Sequence, residues 1–147
     1  MDQKFIPEGW NPQRRQLTEV ELCKAIEENK ILEGYVEKCD ANYNLYVACR
    51  DNVIGVIPRN EIEAINVDGR GLPRPNLCIN KVNKFVQFRV KGIDSSNHYI
   101  LSRKNVCQEA MNWAIHELKE GMIVSGIVRS IQPYGVFVEI GGGMVGL

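Results

Sequence analysis

With 147 residues, 44% of them hydrophobic and 24% charged, the chain has the make-up of a folded globular protein rather than a disordered tail. Its 18 basic and 18 acidic side chains cancel, which taken alone argues against a nucleic-acid partner. No apolar run is long enough to cross a bilayer, and Met1-Asp2-Gln3-Lys4 does not open a secretory signal, so a cytoplasmic location with no membrane partner is expected.

The first sixteen residues, with Pro7, Gly9 and Pro12, read as an irregular arm. A helix is predicted over 18–29: Thr18 is its cap, Glu21 completes a capping box, and Leu17 and Leu22 occupy the positions of a hydrophobic staple. From Ile31 the period changes to two. Leu32, Gly34 and Val36 alternate with Glu33, Tyr35 and Glu37, and strands follow at 45–49 and 53–57 between turns at 40–42 and 50–52. Residues 58–83 are irregular and rich in Asn, Pro and Gly, with a short helix at 60–65. Strands at 85–93 and 98–102 flank the turn 94–97, and a second helix runs from about Arg103 to Leu118 before Gly121. Five short strands with one long connection suit a small closed barrel.

Cys23, Cys39, Cys49, Cys78 and Cys107 include no C-x-x-C pair, and His98 and His116 are the only histidines. Neither metal, cofactor nor catalytic residue is expected from this material. The charge is unevenly distributed. Residues 50–104 carry 10 basic side chains against 5 acidic ones, the modest excess of a groove that follows a phosphate backbone, or of a solvated loop.

After residue 120 the strand pattern returns as a copy. Gly34-Tyr35-Val36 matches Gly126-Ile127-Val128, Tyr43–Val47 matches Tyr134–Val138, and Val53–Val56 matches Met144–Leu147, at separations of 92 and then 91 residues. In the second strand Leu45, Val47 and Cys49 face one way and Tyr46 the other. In the copy Val136, Val138 and Ile140 face inward with Val124 and Val128, and Phe137 faces out. Aromatics at Tyr43 and Tyr46, repeated at Tyr134 and Phe137, suit stacking platforms for unpaired bases, and Arg89 and Lys91 on the fourth strand suit phosphates. The competing reading makes the rings covers for a barrel seam and the two cations a solvated strand face.

These segments resemble the S1 domain, the OB-fold RNA-binding module repeated in bacterial ribosomal protein S1. The most specific are Gly126-Ile127-Val128, Tyr134-Gly135-Val136-Phe137-Val138-Glu139-Ile140 and Gly146-Leu147. Gly55–Glu61 and the ending Asp94…Leu101-Ser102-Arg103-Lys104 form a more diverged match. The resemblance covers residues 30–104 and 121–147. It implies a mainly β chain: a five-stranded S1-type OB barrel flanked by two helices, plus the first strands of a second such barrel. The corresponding divisions are an arm and helix at 1–29, a first barrel at 30–104, a linker helix at 105–120, and the start of a second barrel at 121–147. The family's two aromatics, histidine, aspartate and arginine fall at Tyr43, Tyr46, Pro58, Asp94 and His98. Two of these depart from the pattern, since proline offers no donor and histidine lacks the permanent charge of arginine. In the copy, Tyr134 and Phe137 carry the aromatic positions.

The expected function is therefore a non-enzymatic protein of the ribosomal protein S1 type, binding single-stranded RNA with little sequence specificity in translation or RNA handling. The expected contacts are Tyr43, Tyr46, Arg89, Lys91, Asp94, His98, Tyr134 and Phe137. A second reading makes the first barrel a module that docks on the ribosome or another protein. A third makes the chain the regulatory RNA-binding end of a longer enzyme. Residues 122–147, an apolar face whose barrel lacks two strands, are expected to lie against another surface, in the same chain or a second copy, and to promote self-association.

Overall fold

The computed structural model describes residues 5–10 and 16–147. The rest of the expected irregular arm, residues 1–4 and 11–15, lies outside the described residues. Helix α1 spans Glu19–Glu28 behind its cap Thr18, whose hydroxyl accepts from the Glu21 backbone N–H at 3.3 Å and donates to the Glu21 carboxylate at 3.1 Å. Asn29 ends it in the left-handed conformation, a geometry asparagine tolerates better than most residues. Leu22 and Ala25 turn fully inward, so packing on the sheet stabilises a helix too short to persist alone.

Strands β1 (Ile31–Cys39), β2 (Leu45–Val47), β3 (Gly55–Ile57), β4 (Phe85–Ile93) and β5 (Tyr99–Ser102) close into a barrel in the order β1-β2-β3-β5-β4. β3 and β5 run parallel, whereas the other neighbours are antiparallel. Val36, Leu45, Val47, Ile57, Val86, Phe88 and Leu101 fill the interior. Gly34 is required by this packing. A Cβ there would come within 2.5 Å of Val47 Cγ1 and 2.9 Å of the Phe88 ring, so β1 crosses the core at a distance only glycine permits.

Two expected strands are shorter than their apolar runs. β2 stops at Val47 because the backbone beyond it bonds elsewhere: Leu17 N–H donates to Ala48 O at 3.0 Å, and Arg50 N–H donates to Leu17 O at 2.9 Å. The expected helix at 60–65 is a single 3-10 turn, Arg59–Glu61. The connection to β4 carries a helix the periodicity does not reveal, α2 (Pro75–Ile79), opened by proline in its first turn.

Helix α3 (Arg103–His116) begins directly at the end of β5, where Ser102 Oγ accepts from the Asn105 backbone N–H at 3.0 Å. Beyond it, β6 (Ile127–Gln132), β7 (Gly135–Gly141) and β8 (Met144–Gly146) form a three-stranded antiparallel sheet. Gly126 repeats the constraint at Gly34, since its Cβ would approach Val138 Cγ1 to 2.5 Å. This sheet lies against its own chain. Phe5, Val106, Ala110 and Trp113 form a second small core, with Val124 and Ile140 packed on it.

Candidate nucleic-acid interface

The register across the barrel sets Lys38 beside Tyr46, Tyr46 beside Val56, Val56 beside Ile100, and Ile100 beside Gly92. Since Leu45, Val47, Ile57 and Leu101 point inward, this row points out. His98 lies two residues before Ile100, and Asp94 two after Gly92, so both fall on the same outward face as Tyr46.

Two turns are organised by carboxylates. Asp40 Oδ1 accepts the backbone N–H groups of Asn42 and Asn44, each at 2.9 Å, while its Oδ2 accepts Asn44 Nδ2 at 3.2 Å and the Tyr46 hydroxyl at 3.3 Å. Burial opposes ionisation of Asp40, but these donors prevail and hold its carboxyl below the ordinary range. Tyr43 sits in this turn with left-handed backbone, φ 64°. Asp94 does the same work at the other turn, accepting Ser96 and His98 N–H groups at 2.9 Å each, with His98 Nδ1 3.9 Å from its second oxygen.

Each of the two tyrosines carries a cation over its ring. Lys38 Nζ lies 4.7 Å from the Tyr46 centroid, and Arg59 Cζ lies 4.9 Å from that of Tyr43. Arg59 is fixed rather than draped. Its Nε and Nη2 donate to Pro73 O at 3.1 and 2.7 Å, and its backbone N–H donates to Asn44 Oδ1 at 3.0 Å. Sequence reasoning did not single out these two cations. A signal for Lys38 exists only in the pairing of β1 with β2, and Arg59 follows a proline that ends an apolar strand.

The two cations that sequence reasoning did select are engaged elsewhere. Arg89 grips Glu109 of α3 with both sides of its fork, at 2.5 and 2.7 Å, and also donates to Asn29 O at the end of α1. The bidentate hydrogen bond to Glu109 raises its pKa further. Lys91 pairs with Glu61 at 2.9 Å, and Glu61 also accepts the Ser102 hydroxyl at 2.5 Å. Arg89 thus fastens helices to the barrel, and Lys91 fastens the 3-10 turn. On the second sheet Tyr134 is largely exposed and meets Phe137 edge to face, with centroids 6.1 Å apart at 85°.

Among the described residues, no group of three or more His, Cys, Asp or Glu is placed to hold a metal ion, and no helix is long and apolar enough to cross a membrane. All five cysteines are free. Burial pushes the Cys49 and Cys107 thiols up to about 11, which keeps them protonated and poorly nucleophilic near neutrality.

A closed β1-β2-β3-β5-β4 barrel with parallel β3 and β5 and a helix on the β3–β4 connection defines an OB fold. The family model "S1 RNA binding domain" matches residues 117–147. Two relatives are named small ribosomal subunit protein bS1. The one from Neisseria meningitidis serogroup B is 34% identical over 64 residues, 40% of this chain and 11% of that protein. The one from Rickettsia conorii is 27% identical over 108 residues, 73% of this chain and 18% of that protein. The chain therefore spans less than a fifth of the length of these relatives. A solution structure of GSP13 from Bacillus subtilis aligns with a TM-score of 0.36 at 16% identity, over 64% of this chain and 62% of that one. The sequence likeness to the S1 RNA-binding domain family is thus seen in residues 117–147, the segment that carries β6, β7 and β8.

Proposed function

We propose that this chain binds single-stranded RNA, without catalysis, through the outward face that holds Lys38, Tyr43, Tyr46 and Arg59, with Asp94 and His98 at its margin. The observation that carries this reading is the pair of tyrosines, each overlaid by a cation, on one face of an OB barrel. A flat ring and a guanidinium plane both accept a stacked base, and the cations attract phosphate. Neither reads the base edges, so sequence specificity is low. Tyr134 and Phe137 extend the same chemistry to the second sheet. The relatives are named ribosomal proteins, which supports a role in translation, in the cytoplasm, with the ribosome as a partner. Self-association through the uncovered face of the second sheet also belongs to this reading.

Titration of a fluorescent single-stranded RNA at two salt concentrations tests the proposal. Tyr46→Ala should weaken binding by about 1–3 kcal/mol, with affinity falling as salt rises. Unchanged affinity for Tyr46→Ala and Arg59→Ala together, or equal binding to duplex RNA, overturns it. Sedimentation at rising concentration, alone and with small ribosomal subunits, tests the two protein partners.

A further inference from the structure

The segment Phe5-Ile6-Pro7-Glu8-Gly9 is bound the way a groove binds a peptide. Phe5 is buried against Trp113, with ring centroids 5.9 Å apart, and its backbone lies where a Cβ on Gly141 would be, 2.7 Å away. Ile6 O accepts the Gly142 N–H at 3.2 Å. The Glu8 carboxylate accepts Arg103 Nη2 at 2.6 Å, Arg103 Nε at 3.1 Å and the Gln87 backbone N–H at 2.8 Å. The Glu8 backbone N–H donates to both oxygens of Glu139, at 2.9 and 3.1 Å, while its carbonyl accepts Arg129 Nη2 at 2.8 Å. Gly9 N–H donates to Glu33 at 3.1 Å.

Most of the backbone polar groups from Ile6 O to Gly9 N–H are therefore met by donors and acceptors from β1, β6, β7 and the turn after β7, while α3 and β4 hold the Glu8 carboxylate. Charges this deeply buried are tolerable only when paired, and Arg103 and Glu139 are 4% and 2% exposed. The turn is shaped for this contact. Gly142 and Gly143 have φ of 56° and 77°, and a Cβ on either would strike Ala110 at 2.6 Å or Arg103 at 2.4 Å. The first barrel shows what the segment replaces. There Leu17, from the chain just before α1, bonds to Ala48 and Arg50, the equivalents of Glu139 and Gly141. In the second sheet Phe5–Glu8 lies along the corresponding end of β7, held by the Gly142 N–H and the Glu139 carboxylate.

We propose that the cleft between the barrel, α3 and the second sheet is a peptide-recognition site for an extended segment of the form Phe-x-Pro-Glu-Gly, occupied here in cis by residues 5–9. Phe5 is the apolar anchor and Glu8 the charged one, and their docking seats the second sheet on the first barrel. The inference does not depend on RNA binding.

Amide hydrogen exchange on the full chain tests it. In a Phe5→Ala, Glu8→Gln variant, the Gly142 and Gln87 amides should exchange about tenfold faster or more, because each loses its acceptor, while Val47 in the barrel ladder keeps its protection. A synthetic peptide of residues 1–10 added in trans should restore protection at both amides. The same peptide carrying Glu8→Gln should not. If the double variant also loses protection at Val47, Phe5→Ala alone serves in its place, since it leaves the Arg103 pairing intact. Unaltered exchange in the variant, or failure of the native peptide to restore protection while the barrel stays ordered, overturns the proposal.

Discussion

β1–β3 and β6–β8 are two copies of one antiparallel ladder with opposite fates. In the first, β4 pairs with β1 and β5 with β3, and Leu45 and Val47 are 0% and 3% exposed. In the second, neither β6 nor β8 has a further strand partner among the described residues, and Val136, the equivalent of Leu45, and Val128, which pairs with Val138, are 38% and 55% exposed. Pairing within the meander is thus set locally, by Gly-x-Val, a turn and an alternating strand. Burial of its apolar face is set by strands far along the chain. The second sheet compensates in part by leaning one end of that face, Val124 and Ile140, on an arm and a helix.

Substitution at equivalent positions should separate the two most strongly. Leu45→Ala is expected to cost about 2–5 kcal/mol by urea denaturation, as expected for a cavity in a closed core. Val136→Ala should stay within about 0.5 kcal/mol. A comparable loss at both positions would mean that the second inner face is covered in solution.

The two glycines offer a finer test. Gly34→Ala should cost about 1–3 kcal/mol, because Val47 and Phe88 cannot both yield inside the barrel. Gly126→Ala meets a side chain in a thinner, partly open sheet, so its effect on thermal stability should be smaller.

The pH dependence of arm docking sharpens the contrast in chemistry. Burial raises the carboxyl of Glu139, with Arg129 opposing and Glu8 adding repulsion. Burial likewise raises that of Glu33, against the Gly9 N–H and with Glu8 and Glu139 adding to it. Docking therefore takes up protons at these two groups and should tighten as pH falls from neutral toward their ordinary value of 4.5. Burial opposes ionisation of Glu8 too, but Arg103 prevails and lowers its pKa, so its contribution is present above 4.5 and is lost as pH falls through the depressed value. Protection of the Gly142 amide should accordingly peak at mildly acid pH, and Glu139→Gln should flatten the rise. A protonated Glu33 also has a proton to offer the buried Gln87 Oε1, which faces it across the ladder and has no partner among the described residues.

The smallest effects concern the surface. Arg89→Ala should lower stability while leaving RNA affinity unchanged, and Arg59→Ala should do the reverse. A titration in which Arg89→Ala weakens binding as much as Arg59→Ala would restore the phosphate role expected from its position in the sequence.

Much of this fold is legible in the sequence because its signals are short-range. The capping of α1, the period-two run of β4 and the Gly-x-Val repeat each fit within ten residues or so. Helix α2 is not legible, since five residues are too few to show a helical period. The aromatics of the candidate site are visible because a strand alternates. The cations over them are not, because Lys38 reaches Tyr46 across a ladder and Arg59 reaches Tyr43 by way of Pro73. The arm is the least legible part. Nothing in Phe-Ile-Pro-Glu-Gly announces that Glu8 bonds to groups 79, 95 and 131 positions away.

That separation bears on the order of assembly. A chain made from its N-terminus presents the arm first, long before Arg103 exists and longer still before Glu139 does. The five barrel strands can close as soon as β5 emerges, with Phe5 and Glu8 still unplaced. Arg103 then offers its charge, the turn after β7 arrives later still, and only then does the apolar anchor have a floor to rest on. Phe5 and Glu8, ahead of the barrel in sequence, are in this way placed only after it, and slow exchange at the Gly142 amide marks the moment at which the arm, α3 and the second sheet have joined.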